Sequence, residues 1–323
     1  MVDFWKGKNV LVTGGSGFVG SFVVEQLVNA GSNVTIITQS KNDAVLNLSS
    51  LLNRITIFEG DLMDASFVEA SFVHQEIVFH LASYKRNIVF HQKYPADILR
   101  INTTLAMNVL EAAKKNNIER LLLMSSGIVY GNESQSPNKE EDGLLGEVET
   151  AHFGYGWSKR FTEVLARAYV LQTGMKIAIA RPYNVFGPRD NFDKESAQVV
   201  PAFINRILDC ENPFVMWGDG NQERSFLYVE DLARGLLDLT ERYAVCDPVN
   251  FGTNEVITLK ELALLLMDIE GINPELQFDM SKPNGLVKRN CDNSKSFEKI
   301  GFQPQYSLKE GLKKTIEWRR SNT

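Results

Sequence analysis

Along the first half of the chain, short apolar and β-branched runs alternate with longer stretches in which apolar residues recur at helical spacing. "NVLVTG" (9–14) reads as a buried strand and "GSFVVEQLVNAG" (20–31) as a helix closed by Gly31. "NVTIIT" (33–38), "ITIFEGD" (55–61) and "EIVFHLA" (76–82) continue as strands. "LRINTTLAMNVLEAAKKNNI" (99–118) predicts a helix and "ERLLLMSS" (119–126) a strand. "YGWSKRFTEVLARAYVLQTG" (155–174) predicts a glycine-ended helix, and "KIAIARP" (176–182) the next strand. Strands that alternate with crossover helices build a parallel sheet covered on both faces.

After Pro188 the rhythm changes. Residues 188–225 are richer in loop residues, with "WGDGNQERSF" as a turn-rich excursion. A strand–helix unit (226–241), a short strand (249–251) and helices near 258–270 and 307–320 follow. The expected fold is α/β, a Rossmann-type doubly wound parallel sheet with a smaller C-terminal α/β substrate lobe. Residues 1–187, with 226–251 returning to them, form the dinucleotide domain; 188–225 and 252–323 form the lobe. The crevice along the carboxyl edge of the sheet is the expected ligand site.

Composition changes this picture little. The 323 residues carry a formal charge of −6, which gives no support for nucleic-acid binding. No apolar run approaches the roughly 18–20 residues of a membrane span. The start lacks the zones of a signal peptide, and Cys210, Cys246 and Cys291 form no paired motif. A reducing, cytoplasmic setting is expected. The four histidines have no metal-site spacing, so no metal is expected; His80 reads as structural.

"VLVTGGSGFVGSFVVEQL" places Gly14, Gly17 and Gly20 at the first strand-to-helix junction. Glycines there allow a tight turn, close approach of backbone to a pyrophosphate, and close packing of helix on strand. The helix N-terminus, with Phe18 and Val19 in its first turn, offers amide donors to phosphate. At the end of the second strand stand Thr38, Gln39, Ser40 and Lys41, where an acidic residue often reads the ribose of NAD. No carboxylate repels a 2′-phosphate there, which tilts the expectation toward NADP(H) with NAD left open.

Tyr155 and Lys159 are four apart on a predicted helix and share one face. An ammonium beside a phenol favours the phenolate, so such a pair can take or return a proton while hydride moves at the same carbon. Ser126, at the end of a strand, is placed to hold the reacting oxygen, and Lys159 to bridge the nicotinamide ribose. Tyr130, in "SSGIVYG", is a second tyrosine near that strand end. Asn102 sits inside a helix where asparagine is mildly unfavourable, open between a structural hydrogen bond and direct chemistry. Lys282, with Arg289, is a candidate for holding phosphate or sugar. Trp217 is open between packing on a nucleotide base and packing within the lobe.

"TGGSGFVG", "GDLMD", "HLAS", "SSGIVYG", "YGWSK", "RPYNVFGP" and "RSFLYVEDLA" together resemble the extended short-chain dehydrogenase/reductase family, in its NAD(P)-dependent sugar-nucleotide epimerase/dehydratase branch. The resemblance covers nearly the whole chain. It implies that Ser126, Tyr155 and Lys159 are the catalytic triad. It also implies that Asp61 and Leu62 contact the adenine side and that Ala82 and Lys85 line the cofactor groove. Asn184 and Arg224 then hold the diphosphate of a nucleotide-sugar substrate, a role suited to a guanidinium fork. Helices 99–116 and 155–172 carry apolar residues beyond one core stripe; by resemblance they pair across a two-fold axis into a four-helix bundle, giving a homodimer.

Within that branch, "FGPRDNFDKESAQVVPAFINRI" is similar to GDP-fucose synthase and its relatives. Their cysteine/histidine pair for epimerisation corresponds to Ile128 and Gln198, neither of which can exchange a carbon-bound proton. The Asp-Glu pair of dehydratases corresponds to Gly127 and Ile128. Two redox readings therefore stand: a 4-epimerase acting by transient oxidation at C4, and an NADPH-dependent 4-keto-sugar-nucleotide reductase. Frequency within the family places the epimerase ahead; Thr38 and Lys41 favour the reductase. A dinucleotide-binding regulator without chemistry is a third class, disfavoured because both tyrosine and lysine are present.

Overall fold

The computed structural model describes residues 2–85, 88–281 and 288–322. The chain begins with α1 (Val2–Trp5), β1 (Asn9–Thr13), α2 (Phe18–Asn29), β2 (Asn33–Thr38), α3 (Lys41–Leu48), β3 (Ile55–Glu59) and α4 (Ala65–Ser71). Next come β4 (Ile77–His80), α5 (Ile88–Lys93), α6 (Pro95–Lys115), β5 (Arg120–Met124), α7 (Phe153–Thr173), β6 (Ile177–Pro182) and β7 (Val185–Phe186). Then follow α8 (Val199–Leu208), β8 (Phe214–Trp217), β9 (Glu223–Ser225), β10 (Leu227–Tyr228), α9 (Val229–Arg242) and β11 (Val249–Phe251). The chain closes with β12 (Val256–Thr258), α10 (Leu259–Glu270), β13 (Leu276–Asp279), β14 (Lys288–Arg289), α11 (Ser294–Ile300) and α12 (Leu308–Ser321).

Seven parallel strands form the main sheet in the order β11-β6-β5-β4-β1-β2-β3. This is a Rossmann-like, doubly wound α/β fold. The apolar runs of the strands follow from burial on both sides. Val10, Val12, Ile77 and Phe79 point to one face, where Val23 and Leu27 of α2 and Leu232 and Leu236 of α9 pack on them. Leu11, Val78, Leu121 and Ile177 point to the other, beneath α4, α6 and α7. With a period of two and both faces dry, neither set can be polar.

The strand order reverses between β1 and β4, so the loops after β1, β4 and β5 open at one switch point. β11 returns the chain to the far edge, beside β6. The remaining strands make smaller units: β8 with β13, β7 with β10, and β9 between β12 and β14. Among the described residues no helix is long and apolar enough to cross a membrane.

Long elements lie within a few residues of the sequence reading. The stretch 188–225 departs from it: "VVPAFINRIL" forms α8 rather than loop. Pro201 falls in the first helical turn, where its missing N–H costs nothing. The short α3, α4, α5 and α11 span 6–8 residues each, too few turns to show a period.

The first turn depends on glycine. Gly14 has φ +70°, and a Cβ there would lie 2.8 Å from the backbone nitrogen of Ala82. A Cβ on Gly20 would meet the Gly14 carbonyl. Gly20→Ala is expected to destabilise the fold by about 1–3 kcal/mol, read as a lower urea midpoint at unchanged m-value.

Candidate active site

The helix cap after β1 is bare. Gly17 is the N-cap of α2 and has no side chain to occupy the first-turn amides of Phe18 and Val19. The Gly14–Ala82 approach and the Gly14–Gly20 contact leave no room for Cβ atoms, so the backbone itself forms the cradle. These features fit the pyrophosphate of a dinucleotide. Ala82, across from Gly14, donates its N–H to the Thr13 hydroxyl at 3.3 Å.

At the end of β2, Thr38 is buried; its hydroxyl donates to Ser40 O at 2.9 Å and accepts from Ser16 Oγ at 3.3 Å. α3 starts immediately afterwards at Lys41, capped by Ser40. Asp61 is exposed beyond β3 and accepts from the N–H of Met63 at 2.9 Å. Leu62 is buried, and its carbonyl accepts from Asn108 at 2.8 Å. Lys85 is exposed beyond β4, on the same edge of the sheet.

The second part of the site forms where α7 crosses the end of β5. Ser126 caps the short 3₁₀ turn 127–129, its Oγ accepting from the N–H of Ile128 at 3.3 Å. Ile128 packs with Ile98 and the ring of Tyr155 in one buried cluster. Lys159, one turn after Tyr155, donates from Nζ to the carbonyl of Met124 at 2.7 Å, two residues before Ser126. Its Nζ lies 5.4 Å from the centre of the Tyr155 ring. Ser126, Tyr155 and Lys159 are thus brought together. Burial pulls the Lys159 ammonium down to about 8, against the opposing attraction of Glu163.

Several neighbours shape this corner. His80 is buried at the end of β4, with Nδ1 2.8 Å from the Thr13 hydroxyl. Burial, then repulsion from Lys159, pushes it down to about 3, so it stays neutral and structural. Ser83 was not singled out from the sequence, although it ends "HLAS"; its Oγ stands 3.5 Å from the Tyr155 hydroxyl and donates to Asn102 Oδ1 at 3.2 Å. Asn102 also accepts from Tyr84 N–H at 2.9 Å and donates to the carbonyls of Tyr84 and Ile98 at 3.0 and 2.8 Å. That resolves its open reading toward a structural pin. His91, also missed, lies with its ring 5.5 Å from that of Tyr155. It sits on α5, a helix too short to read. Tyr130 is apart from this corner, buried and bonded to Asn250 and Arg181.

On the opposite side, Asn184 takes φ +36° between β6 and β7, and its amide donates to Ser225 O at 3.0 Å. Arg224 lies on β9, directly in register with Arg289 on β14. Trp217, at the end of β8, is 63% exposed, which places its indole outside the lobe core. Lys282 lies outside the described residues. Ile128 is buried beside Tyr155, while Gln198 is exposed at the N-cap of α8.

Residues 10–252 match the profile described as the NAD dependent epimerase/dehydratase family. The chain belongs to that family. This epimerase/dehydratase-family member is an NAD(P)-dependent enzyme. It is 33% identical to a dTDP-4-dehydro-6-deoxy-D-allose reductase of a Streptomyces species, over 98% of each chain. It is also 33% identical to a probable GDP-L-fucose synthase of Oryza sativa subsp. japonica, over 97% of this chain and 92% of the other. Among solved structures, the UDP-glucose 4-epimerase of Thermotoga maritima with UDP-glucose superposes with a TM-score of 0.87 at 30% identity, covering 97% and 99%. The relatives of this family member thus include both reductases and 4-epimerases.

Asn102→Ala is expected to leave the Tyr84 N–H unpaired and cost about 1–3 kcal/mol, read by urea unfolding.

Proposed function

We propose that this enzyme reduces the 4-keto group of a nucleotide-diphosphate sugar, using NADPH. The observation that carries the reading is the carboxylate-free end of β2. The Thr38 hydroxyl is turned onto Ser40 and Ser16, and α3 opens there with Lys41. β2 itself ends without a carboxylate, and the Lys41 cation at the start of α3 favours a 2′-phosphate there, against the opposing charge of Glu59 in register on β3. Two relatives that match almost end to end carry the names reductase and synthase, which agrees. On sequence alone the epimerase stood ahead; the surroundings of Thr38 reverse that order.

The bound dinucleotide supplies the hydride. Tyr155 hands a proton to the oxygen of the reduced carbon, and Ser126 holds that oxygen by a hydrogen bond. That transfer leaves Tyr155 as a phenolate beside the Lys159 ammonium, and the phenol regains its proton from solvent before the next turnover. Ile128 contributes an apolar side chain beside Tyr155. A 6-deoxy sugar suits such a neighbour, and without an acid/base at Ile128 and Gln198 the sugar's carbon-bound protons stay in place.

Gly14, Gly17, Phe18, Val19, Gly20, Asp61, Leu62, Ala82 and Lys85 line the cofactor side in this reading. Asn184 and Arg224 hold the diphosphate, and Trp217 offers a surface to the base. Residues 188–225 and 252–323 act as the substrate lobe on the dinucleotide domain. Leu99, Met107, Phe153, Trp157 and Phe161 form an apolar groove between α6 and α7, with Met107 and Phe153 42% and 45% exposed. A second copy of the chain covers that groove in the homodimer we propose.

The 4-epimerase reading keeps its own support, end-to-end superposition on 4-epimerases such as the Thermotoga enzyme. Two assays separate the readings: NADPH oxidation with dTDP- and GDP-linked 4-keto-6-deoxyhexoses, and interconversion of UDP-sugars by protein carrying retained NAD. Consumption of NADPH supports the reductase; interconversion without it overturns that reading.

Tyr155→Phe is expected to lower kcat roughly 10²–10⁴-fold with NADPH affinity unchanged; near-normal turnover would remove the phenol from the mechanism. Thr38→Asp is expected to weaken NADPH roughly ten- to a hundredfold by charge repulsion and to spare NADH, measured by fluorescence titration of both.

A further inference from the structure

Behind the reacting groups lies a buried ion pair that the proposed chemistry does not use. Glu163 stands one turn beyond Lys159 on α7, and Arg181 lies in β6; they are 6% and 2% exposed. Nε and a terminal nitrogen of Arg181 donate to the two carboxylate oxygens at 2.9 and 2.6 Å. The Ser125 hydroxyl donates to the same carboxylate at 2.5 Å. Met124 accepts from Lys159, Ser125 donates to Glu163, and the next residue is Ser126. Two consecutive residues leading into the catalytic serine are therefore tied to two side chains one turn apart on the helix that carries Tyr155.

The other terminal nitrogen of Arg181 extends the network, donating to the Tyr130 hydroxyl at 3.0 Å and the Glu140 carbonyl at 2.8 Å. Tyr130 in turn donates to Asn250 Oδ1 at 2.6 Å, on edge strand β11. A buried ion pair contributes little stability over well-packed apolar side chains. Its placement against Ser125 calls for a different explanation.

We propose that Glu163 is a positioning residue for proton transfer: its carboxylate, locked by Arg181, fixes the end of β5 against α7 with its negative charge one turn from Lys159. This rests on Ser126, Tyr155 and Lys159 being the reacting groups.

Burial draws the Lys159 ammonium down to about 8, and Glu163 is the charge that resists. The other titratable groups facing Lys159 are Tyr155 and His80, and His80 stays neutral because burial pushes it down to about 3. Removing the negative charge lets Lys159 lose its proton at lower pH. A rate that needs the ammonium then falls off at lower pH.

The test uses the full chain with ¹³Cε-labelled lysine, the Lys159 signal being assigned by its loss in Lys159→Arg. In Glu163→Gln the Lys159 titration midpoint is expected to drop by about a unit or more. If that variant does not fold, Glu163→Gln combined with Arg181→Met is compared with Arg181→Met alone, and a lower Lys159 midpoint in the double variant is expected. Ser125→Ala keeps the ion pair. It is expected to leave the midpoint in place but to lower kcat roughly tenfold or more, with KM for NADPH unchanged, in NADPH oxidation with a dTDP-4-keto-6-deoxyhexose. An unmoved midpoint, or full kcat in Ser125→Ala, overturns the proposal. Turnover retained in Tyr155→Phe overturns the assignment beneath it instead.

Discussion

The ammonium of Lys159 is buried, and a buried cation persists only where something nearby balances its charge and takes up its hydrogen bonds. Here the Met124 carbonyl accepts from it, and the carboxylate of Glu163 lies one turn away on the same helix. That requirement joins α7 to the end of β5 and aligns the element bearing Tyr155 with the element leading into Ser126. The site is therefore a consequence of how one helix crosses one strand end, and the surrounding core exists to hold that crossing.

The cofactor side obeys a different constraint, that of space. Gly14, Gly17 and Gly20 remove side chains where strand, turn and helix approach most closely, so the backbone forms the phosphate cradle. The two halves meet at the switch in strand order, where the loops after β1, β4 and β5 share one edge. Asn102 secures the loop after β4, and Ser83 on that loop reaches the Tyr155 hydroxyl. Backbone geometry on one side and charge balance on the other thus converge on one edge of the sheet.

Relatedness and geometry answer different questions here. The family match and the end-to-end relatives establish an NAD(P)-dependent enzyme, but those relatives include both reductases and 4-epimerases. The serine, tyrosine and lysine we propose as reacting groups would serve either reaction, since both need only reversible hydride and proton transfer at one carbon. The surroundings of Thr38, where an acid commonly stands, are what we weigh between them.

Much of this was legible in the chain itself. Both-face burial turned β1, β4, β5 and β6 into continuous apolar runs, and the glycines and the Tyr155–Lys159 spacing announced their chemistry locally, because a turn and a helical repeat span only a few residues. The six residues of α5 are too few to show a period, and His91 lies on it, while α8 sits in a stretch whose neighbouring loop residues mask it. The spacing to Lys159 had already singled out Tyr155 over Tyr130, but only the tertiary structure added what each hydroxyl meets, Asn250 and Arg181 for the first and Ser83 for the second. The same holds for Ser125, Glu163 and Arg181, which come from three elements and meet 18 to 38 positions apart in sequence. Their contact depends on strand pairing and helix packing over long separations, which no local pattern of residues encodes.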